Sequence, residues 1–484
     1  MGVDDDAALF DLSCTLFVSK TDQTRSITVS FNASLDLFEK KGLIKTTHRF
    51  VRLLSQLFLS DQPLYTFSLF LDEEREILRK LNDTHVDYGP IRCAHHHFIK
   101  HAQQYPQKLA MVFEDQSITY TETLFYAQQV AFDLVTEYQV CPNDVVVQLM
   151  ERSIELVIGI LAIWMSGATY APINPHDPIA RLMTCMEQTN AKHIIFHSST
   201  SHISVSSYSN IRINDIINDM TERDLIEILS SIPVSPEHIS HIVFTSGSTG
   251  KPKAARIRHR NIVAYICSYI TRSIDTVLYH ITVSFDGHLE DICGGLLKGG
   301  QLIILPPEGQ LDMSIFAKTI NRHQVTYLGG VPSLYIMLNE YFHMLEAKGS
   351  QTYEDFFTLQ RLSSSGMISR EPLSMKTVSD FAKHTLQNCQ MYNFYGPSEC
   401  TEVATQYFVS QNESHEGQLP IGQPMANVYI HILDEHLQHV IPGIQIGEII
   451  IGDYNRFPWI IDSESKVFHQ LSSIFFIGIE YDRL

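Results

Sequence analysis

Apolar and polar residues alternate in two segments near the amino terminus, Leu12–Val18 and Ser26–Phe31. A period of two is typical of β-strands, because successive side chains of a strand point to opposite faces of the sheet. The apolar positions between Phe50 and Leu57 recur instead at helical spacing. The first 70 residues therefore predict two strands followed by a helix.

From about Ile91 to Asn455 short apolar strands alternate with loops and helical segments. The predicted elements are the strands Asp144–Leu149, Ala191–Phe196, Ile242–Phe244, Gln301–Leu305 and Val325–Leu328, and the helix Ile154–Trp164. This alternation predicts parallel sheets covered by helices. Beyond residue 420, the short segments Val428–Ile432 and Glu448–Ile451, with turn residues between them, predict a small barrel-like β region.

Composition limits the possible partners and the compartment. With 484 residues and 44% hydrophobic content, the chain is long enough for two or more domains or subdomains. A formal net charge of −19 argues against nucleic acid and anionic membranes as partners. The eight cysteines form no C-x-x-C pair, and the apolar run Leu156–Met165 is too short for a membrane span. We expect a soluble, cytoplasmic protein with reduced thiols.

The segment Ile242–Lys253 joins a β-branched apolar run to a loop of small hydroxyl residues, glycines and lysines. Such a loop suits phosphate binding, because glycines let the backbone approach a ligand and hydroxyl and N–H groups donate to its oxygens. The Walker A pattern fails at Thr245, which replaces its first glycine, and at Pro252 after the lysine. A serine-hydrolase elbow fails on spacing as well. The alternative is an ordinary Gly/Ser turn.

A second motif, Asn393–Glu402, has the sequence NFYGPSECTE. Together with the first loop it resembles the adenylate-forming enzymes, most closely the adenylation domains of nonribosomal peptide synthetases. Supporting segments follow in the family's order: Gly167–Pro175, Ser284–His288, Val331–Ser333, Ile421–Pro424 and Gly447–Gly452. The resemblance implies an α/β fold, in which a layered αβαβα large lobe is joined to a small β-barrel subdomain and the C-terminal lobe is absent.

The resemblance also implies ATP and Mg²⁺ as cofactors. In the family, a carboxylate attacks the α-phosphorus of ATP, and the acyl group then moves to the phosphopantetheine of a separate carrier protein domain. Glu399 would hold Mg²⁺, a hard cation that prefers oxygen ligands. The residues expected to bind the nucleotide are Thr245, Ser246, Gly247, Ser248, Thr249, Gly250 and Lys251 at the β and γ phosphates, Asn393, Phe394, Tyr395 and Gly396 at the adenine, Ser398 at the α-phosphate and Glu480 at the ribose.

Asp286 matches the family's partner for the α-amino group of an amino-acid substrate, although a lone Asp is more often a turn cap. The side-chain pocket would be lined by Gly287, Glu290, Gly329, Ser363, Ser365, Phe394, Glu402 and Val403. Two carboxylates in that set favour a cationic side chain such as that of ornithine, lysine or arginine, because unpaired buried carboxylates are costly.

The same resemblance divides the chain into domains. Residues 1–70 are similar to the C-terminal end of a condensation domain, residues 71–90 to the usual linker, and residues 91–484 to the N-terminal core of an adenylation domain. The His95–His97 run lacks the spacing of the condensation motif His-His-x-x-x-Asp. We expect an exposed helix start there rather than a metal or catalytic cluster.

The chain departs from the family near its end. It stops at Leu484, where relatives continue into a small subdomain that carries a catalytic lysine, and Glu480 stands where an aspartate normally binds the ribose. We therefore expect no catalytic lysine in this chain and impaired activation of the amino acid. Two alternatives stay open at this point: a catalytically inactive nucleotide-binding or interaction fragment, and a ligase of the acyl-CoA synthetase type, which Asp286 disfavours.

Overall fold

The computed structural model describes the following parts of the chain: residues 11–20, 25–59, 63, 66–90, 92–203, 208–219, 225–246, 252–347, 361–364, 373–386, 388–410, 418–434, 436, 438–440, 447–453, 459–461 and 474–479. They fall into two compact units. One contains the described residues within 1–83, 430–450 and 474–482, and the other contains the described residues within 84–429 and 451–473.

The strands are, in chain order, β1 Leu12–Lys20, β2 Arg25–Ala33, β3 Leu109–Phe113, β4 Gln116–Thr119, β5 Val145–Leu149, β6 Thr169–Ile173, β7 His193–Phe196, β8 Ser209–Arg212, β9 Ile239–Ser246, β10 Pro252–Arg258, β11 Thr276–Tyr279, β12 Gln301–Ile304, β13 Tyr327–Gly330, β14 Arg361–Ser364, β15 Gln390–Tyr395, β16 Thr405–Val409, β17 Gln423–Pro424, β18 Val428–Leu433, β19 Gly447–Asp453, β20 Trp459–Ile461 and β21 Ile474–Ile479. The α-helices are α1 Lys40–Leu59, α2 Asp72–Leu81, α3 Ala94–Gln104, α4 Tyr120–Thr136, α5 Ile154–Met165, α6 Ile179–Thr189, α7 Ile213–Ile217, α8 Leu225–Ser231, α9 His259–Ser268, α10 Gly287–Leu296, α11 Met313–Arg322, α12 Pro332–Ala347 and α13 Met375–Ala382.

The smaller unit contains the antiparallel pair β1–β2, with Leu12 opposite Ala33, and the helices α1 and α2. Arg49 on α1 and Glu74 on α2 form a buried ion pair at 2.6 Å. The other oxygen of Glu74 accepts the Leu71 N–H at 3.0 Å and so caps the start of α2. Most of the three-stranded sheet β18–β19–β21 belongs to this unit too.

The larger unit is built on two mixed sheets. One has the strand order β20-β10-β9-β6-β5-β7-β8, and the other has the order β17-β16-β15-β14-β13-β11-β12-β3-β4. Parallel pairs occupy the middle of both sheets, and antiparallel hairpins such as β9–β10 and β15–β16 lie toward their ends. Parallel strands need helical crossovers, which supply the layers on the sheet faces.

Local sequence explains where the helices begin. Thr119 and Glu122 form a reciprocal capping box at α4, because each side chain accepts the other residue's backbone N–H. Asp312 accepts from the N–H groups of Ser314 and Ile315 at the start of α11. Every described position of α5 except Glu155 is buried, which fits its apolar sequence.

Two apolar clusters hold the larger unit together. One contains Phe316, Leu338, Phe342 and Phe381 beneath the nine-stranded sheet, and the other contains Val147, Ala171, Ile194 and Ile242 on the seven-stranded sheet. Burial of such side chains stabilises each by roughly 1.5–3 kcal/mol relative to exposure. The strands that carry the two site motifs, β9 and β15, are therefore anchored in packed cores.

The predicted α/β fold with a layered large lobe is confirmed, and each predicted strand and helix has a counterpart within a few residues. Beyond residue 420, β18, β19 and β21 form a three-stranded sheet, whereas β17 and β20 lie at the edges of the two large sheets, and the barrel stays a prediction. Among the described residues, no helix combines the length and apolar character needed to cross a membrane.

Candidate functional site

The first motif lies at a hairpin. In the β9–β10 pair, Thr245 is opposite Lys253 and Ser246 is opposite Pro252, so the loop between them starts and ends side by side. The Thr245 side chain is half-buried. The remaining residues of the predicted phosphate loop lie outside the described part of the chain, as does the side chain of Ser246: Gly247, Ser248, Thr249, Gly250 and Lys251.

The second motif is a turn that joins β15 to β16. The Ala404 N–H donates to Tyr395 O at 2.8 Å and closes the turn. A Cβ on Gly396 would lie 2.4 Å from Glu402 O and 2.6 Å from Ala404 N, so only glycine fits at this position. Thr401 and Glu402 both have a positive φ, 61° and 72°. The backbone is thus folded back on itself tightly at the motif.

This turn contains Ser398 and Glu399 and contacts the seven-stranded sheet. Thr245 Oγ1 donates to Glu399 Oε1 at 3.2 Å, which joins the two sequence motifs directly. The half-buried Glu399 carboxylate is the kind of oxygen ligand that suits Mg²⁺, so the residues present fit the predicted cation. Glu480, the predicted ribose ligand, lies outside the described residues.

Asp286 caps the start of α10 and is 3% exposed. Its Oδ1 accepts the Gly287 N–H at 3.0 Å, and its Oδ2 has no hydrogen-bond partner in the described structure. Burial raises the pKa of Asp286, and the neighbouring Ser398 side chain opposes that shift. Asp286 also lines a cleft together with Asn174 and Phe244. The predicted partner of the α-amino group therefore lies beside the predicted ligand of the α-phosphate.

Glu290 follows Asp286 by about one turn of α10 and is buried. Its Oε1 accepts hydrogen bonds from the hydroxyls of Tyr269 and Tyr327, the latter at 3.3 Å. The Tyr269 ring lies 6.0 Å from the ring of Phe394, the predicted pocket residue on β15. The pKa of Glu290 is raised to about 7, because burial and the charge of Asp286 raise it by more than the tyrosine hydrogen bonds lower it.

Glu402 is 2% exposed, and no described residue donates a hydrogen bond of standard geometry to either of its oxygens. Burial raises its pKa well above the ordinary value, and the charges of Glu290, Asp286 and Asp291 add to the shift. The Tyr265 side chain lies close enough to lower that pKa. The predicted pocket carboxylates are thus electrostatic neighbours.

The remaining predicted pocket residues lie on adjacent strands. Gly329 on β13 is opposite Ser363 on β14, and its carbonyl accepts from His280 Nε2 at 2.7 Å. Val403 is fully buried beside Glu402. The side chain of Ser363 and all of Ser365 lie outside the described residues.

The predicted adenine-binding residues are buried. Asn393 Nδ2 donates to Pro420 O at 2.7 Å, and its Oδ1 is buried without a partner in the described chain. Phe394 and Tyr395 are buried as well. Burial raises the pKa of Tyr395, so this phenol stays protonated near neutral pH.

Sequence reasoning missed the tyrosines and Asp291. Tyr265 and Tyr269 are four residues apart around the end of α9, a spacing that places two side chains on one helical face, and this signal could have found them. Tyr327 and Asp291 carry no local signal, because their role depends on strand pairing and on the packing of α10.

The His95–His97 run begins α3, as predicted, but its predicted exposure is wrong for His95, which is 4% exposed. Ligand atoms of Cys93, His95 and His96 lie within 4.8 Å of one another. His96 Nδ1 accepts the Cys93 N–H at 3.2 Å and so caps the helix. That hydrogen bond uses the lone pair that a metal would need, which agrees with a structural role.

Comparison with known proteins decides the family. The sequence profile described as "AMP-binding enzyme" matches residues 98–458. The chain belongs to the AMP-binding enzyme family. Among curated relatives, it is 30% identical over 86% of its length to polyketide synthase PksN of Bacillus subtilis, and 26% identical over 92% to bacitracin synthase 2 of Bacillus licheniformis.

The AMP-binding domain accounts for a small share of those relatives: the chain spans 8% of the first and 16% of the second. The fold agrees with solved structures. The α-methyl-L-serine-AMP-bound form of the synthetase FmoA3 matches with a TM-score of 0.79 at 18% identity, covering 92% of this chain and 49% of that one. An artificially fused adenylation–PCP didomain, NpsA-ThdA from Klebsiella oxytoca, matches with a TM-score of 0.68 at 23% identity, covering 82% and 78%.

Proposed function

We propose that the AMP-binding domain activates an amino acid with ATP and delivers it to a carrier protein in nonribosomal peptide synthesis. The observation that carries the proposal is the adjacency of Asp286 and Ser398. A buried carboxylate whose Oδ2 lacks a partner among the described residues suits an ammonium group, and the neighbouring hydroxyl suits a phosphate oxygen. A substrate amine on Asp286 would place its own carboxylate toward the α-phosphate.

The chemistry is an exchange of bonds at phosphorus. A substrate carboxylate oxygen bonds to the α-phosphorus, the bond to the β-phosphate oxygen breaks, and pyrophosphate leaves with that electron pair. The acyl-adenylate then reacts with the phosphopantetheine thiol of a carrier, which releases AMP and forms a thioester. The protein's contribution is to position the reactants and to stabilise charge.

Individual residues have distinct parts in this scheme. Asp286 orients the amine, and Ser398 donates to an α-phosphate oxygen. Thr245 begins the loop assigned to the β and γ phosphates, and its hydrogen bond holds Glu399 in place. When bound, Mg²⁺ on Glu399 would neutralise phosphate charge. Asn393, Phe394, Tyr395 and Gly396 are assigned to the adenine, and Glu480 to the ribose.

The wider organisation is part of the proposal. Residues 1–70 are assigned to the end of a condensation domain, residues 71–90 to a linker and residues 91–484 to the adenylation core. The structural similarity to an adenylation–PCP fusion supports a carrier domain as partner. The strand pair β1–β2 and helix α1 agree with the elements predicted for the first segment.

The test is amino-acid-dependent exchange of labelled pyrophosphate into ATP by the purified chain. We expect pyrophosphate exchange with a subset of amino acids and no exchange with fatty acids. The Glu399→Gln and Asp286→Asn variants should lose the exchange activity. Asp115→Asn serves as the control variant, because Asp115 is 91% exposed and pairs with Arg322 on the surface.

Each other outcome of this assay would indicate a different function. Nucleotide binding without exchange would make the chain an inactive binding fragment. Exchange with fatty acids in place of amino acids would make it an acyl-CoA synthetase-like ligase. Activity that survives Asp286→Asn unchanged would remove the basis for an amino-acid substrate.

A further inference from the structure

Three buried carboxylates belong to the residues assigned to the substrate pocket: Asp286, Glu290 and Glu402 are 3%, 4% and 2% exposed. Resting on the function proposed above, we infer that this pocket selects an amino acid whose side chain carries a positive charge, an amine or a guanidinium. The α-amino group would pair with Asp286. The side-chain cation would pair with Glu290 and Glu402.

The first step concerns the polar partners of these carboxylates. Glu290 receives hydrogen bonds from the hydroxyls of Tyr269 and Tyr327. In contrast, Glu402 has two buried oxygens without a standard hydrogen bond from any described residue. A buried acceptor left without a donor costs about 1–3 kcal/mol, and more when it is charged. In native structures such a group calls for an explanation, and a ligand that supplies the missing donor is one.

The second step concerns charge. The charges that shift the pKa of Glu402 and Glu290 most are those of neighbouring carboxylates, and all of these raise it. Arg152 is the cation that acts on nearby Asp291. However, its guanidinium donates to the carbonyls of Leu305, His280, Pro306 and Pro307 and to the side chain of Gln310. Within the described structure, the arginine's donors are therefore already engaged.

The third step compares ligands. Beside a neutral aliphatic side chain, Glu290 and Glu402 would be either protonated or charged without a counterion. The charged state is costly, because removal of a carboxylate charge from water costs several kcal/mol. An ammonium or guanidinium provides both the charge and the donors that Glu402 lacks. The aromatic rings of Tyr269 and Phe394 offer apolar surface to the aliphatic stem, and their faces also favour a cation.

The experiment compares L-lysine with L-norleucine, which has a similar straight stem but no ammonium group. Pyrophosphate exchange is measured with both, and with ornithine and arginine, for the unmodified chain and for Glu402→Gln, Glu290→Gln and the exposed control Glu340→Gln. We expect at least about a hundredfold preference for a cationic amino acid over norleucine in the unmodified chain. In Glu402→Gln that ratio falls at least about tenfold, whereas Glu340→Gln leaves it unchanged.

A second readout keeps this inference separate from the proposed function. Binding of lysine, ornithine, arginine and norleucine is also measured by calorimetry, which requires no catalysis. If no amino acid supports exchange but a cationic one binds and Glu402→Gln abolishes binding, the proposed activity fails and the pocket assignment stands. If norleucine exchanges or binds as well as the best cationic amino acid, or the ratio survives both pocket substitutions, the assignment of a cationic side chain is overturned.

Discussion

Thr245 Oγ1 donates a hydrogen bond to Glu399 Oε1 at 3.2 Å, although 154 positions separate the two residues in the chain. The bond connects the strand end before the predicted phosphate loop with the turn after β15. Thr245 belongs to the seven-stranded sheet, whereas the turn extends from the nine-stranded sheet. The contact therefore brings the two sequence motifs, each at the end of its own strand, to one place.

Loss of the Glu399 charge should weaken binding of the magnesium complex of ATP. We expect Glu399→Gln to lower the affinity at least about tenfold and to increase the Mg²⁺ concentration required, because an amide is a poorer ligand for a hard cation. Calorimetric titration of ATP at several Mg²⁺ concentrations measures both effects. Thr245→Ser, which keeps the hydroxyl, should bind like the unmodified chain, and equal affinity in Glu399→Gln would contradict a role for this carboxylate.

The protonation of Glu290 predicts a dependence of stability on pH. Its pKa is about 7 in the folded protein, against an ordinary value of 4.5, because burial and the charge of Asp286 disfavour ionisation. Between these two values the folded state keeps a proton that the unfolded state releases, so the free energy of unfolding falls as the pH rises and then levels off above pH 7. The total loss is about 3 kcal/mol.

Urea unfolding of the ligand-free chain from pH 4.5 to pH 8 measures this effect. Glu290→Gln should show a shallower decline, and the residual slope would come from Glu402, whose pKa is raised in the same direction. Parallel pH profiles for the variant and the unmodified chain would show that Glu290 is ionised in the folded state.

Asn427 should be important for stability. Its Oδ1 accepts the Val86 N–H at 2.9 Å, its Nδ2 donates to Val86 O at 2.9 Å, and it adopts a φ of 62°. Asn427→Ala removes both hydrogen bonds and puts at this φ an alanine, which tolerates the left-handed conformation less well than asparagine, so we expect a loss of about 2–4 kcal/mol in unfolding free energy. Asn427→Gly separates the loss of the hydrogen bonds from the backbone strain. Because glycine tolerates this φ, this variant should lose about 1 kcal/mol less. Equal stabilities of Asn427→Ala and the unmodified chain would refute the prediction.

A methyl group at Gly396 should disrupt the turn that presents Glu399. The added Cβ would lie 2.4 Å from the backbone oxygen of Glu402, and backbone cannot rotate away as a side chain can. We expect Gly396→Ala to cost more than about 2 kcal/mol and to weaken nucleotide binding. Gly42→Ala, in an open position on α1, should instead be neutral or slightly stabilising. Thermal unfolding measures the stability of both variants, and ATP titration measures their nucleotide binding.

Local signals in the sequence were sufficient to predict the strands and helices of the fold. The alternating segments became β1 and β2, the apolar run from Ile154 became α5, and the run from Ile242 lies within β9. These features depend on neighbours in the chain, since periodicity and capping are local properties. The second motif is local in the same way, because the turn that it forms requires its glycine, Gly396.

Non-local packing explains what the sequence analysis could not supply. The exposure of His95 was mispredicted because the helix start is covered by residues distant in sequence, including His259, whose ring lies 5.7 Å away. The hydrogen bonds of Tyr269 and Tyr327 to Glu290 were not foreseen for the same reason. Each tyrosine reaches the carboxylate from a different element, and only the packing of α10 against the sheet brings them together.

The sequence by itself determined the α/β class, the order of strands and helices, and the residue types at the candidate site. Periodicity, turn chemistry and motif spacing are properties of residues that are close together in the chain. Tertiary structure decided which of those residues meet. It placed Thr245 against Glu399 and Asp286 beside Ser398, and it buried Glu402 without a standard hydrogen bond from the described residues. The physical reason is that burial and electrostatic coupling depend on distance in space, and the sheet register sets those distances between residues far apart in the chain.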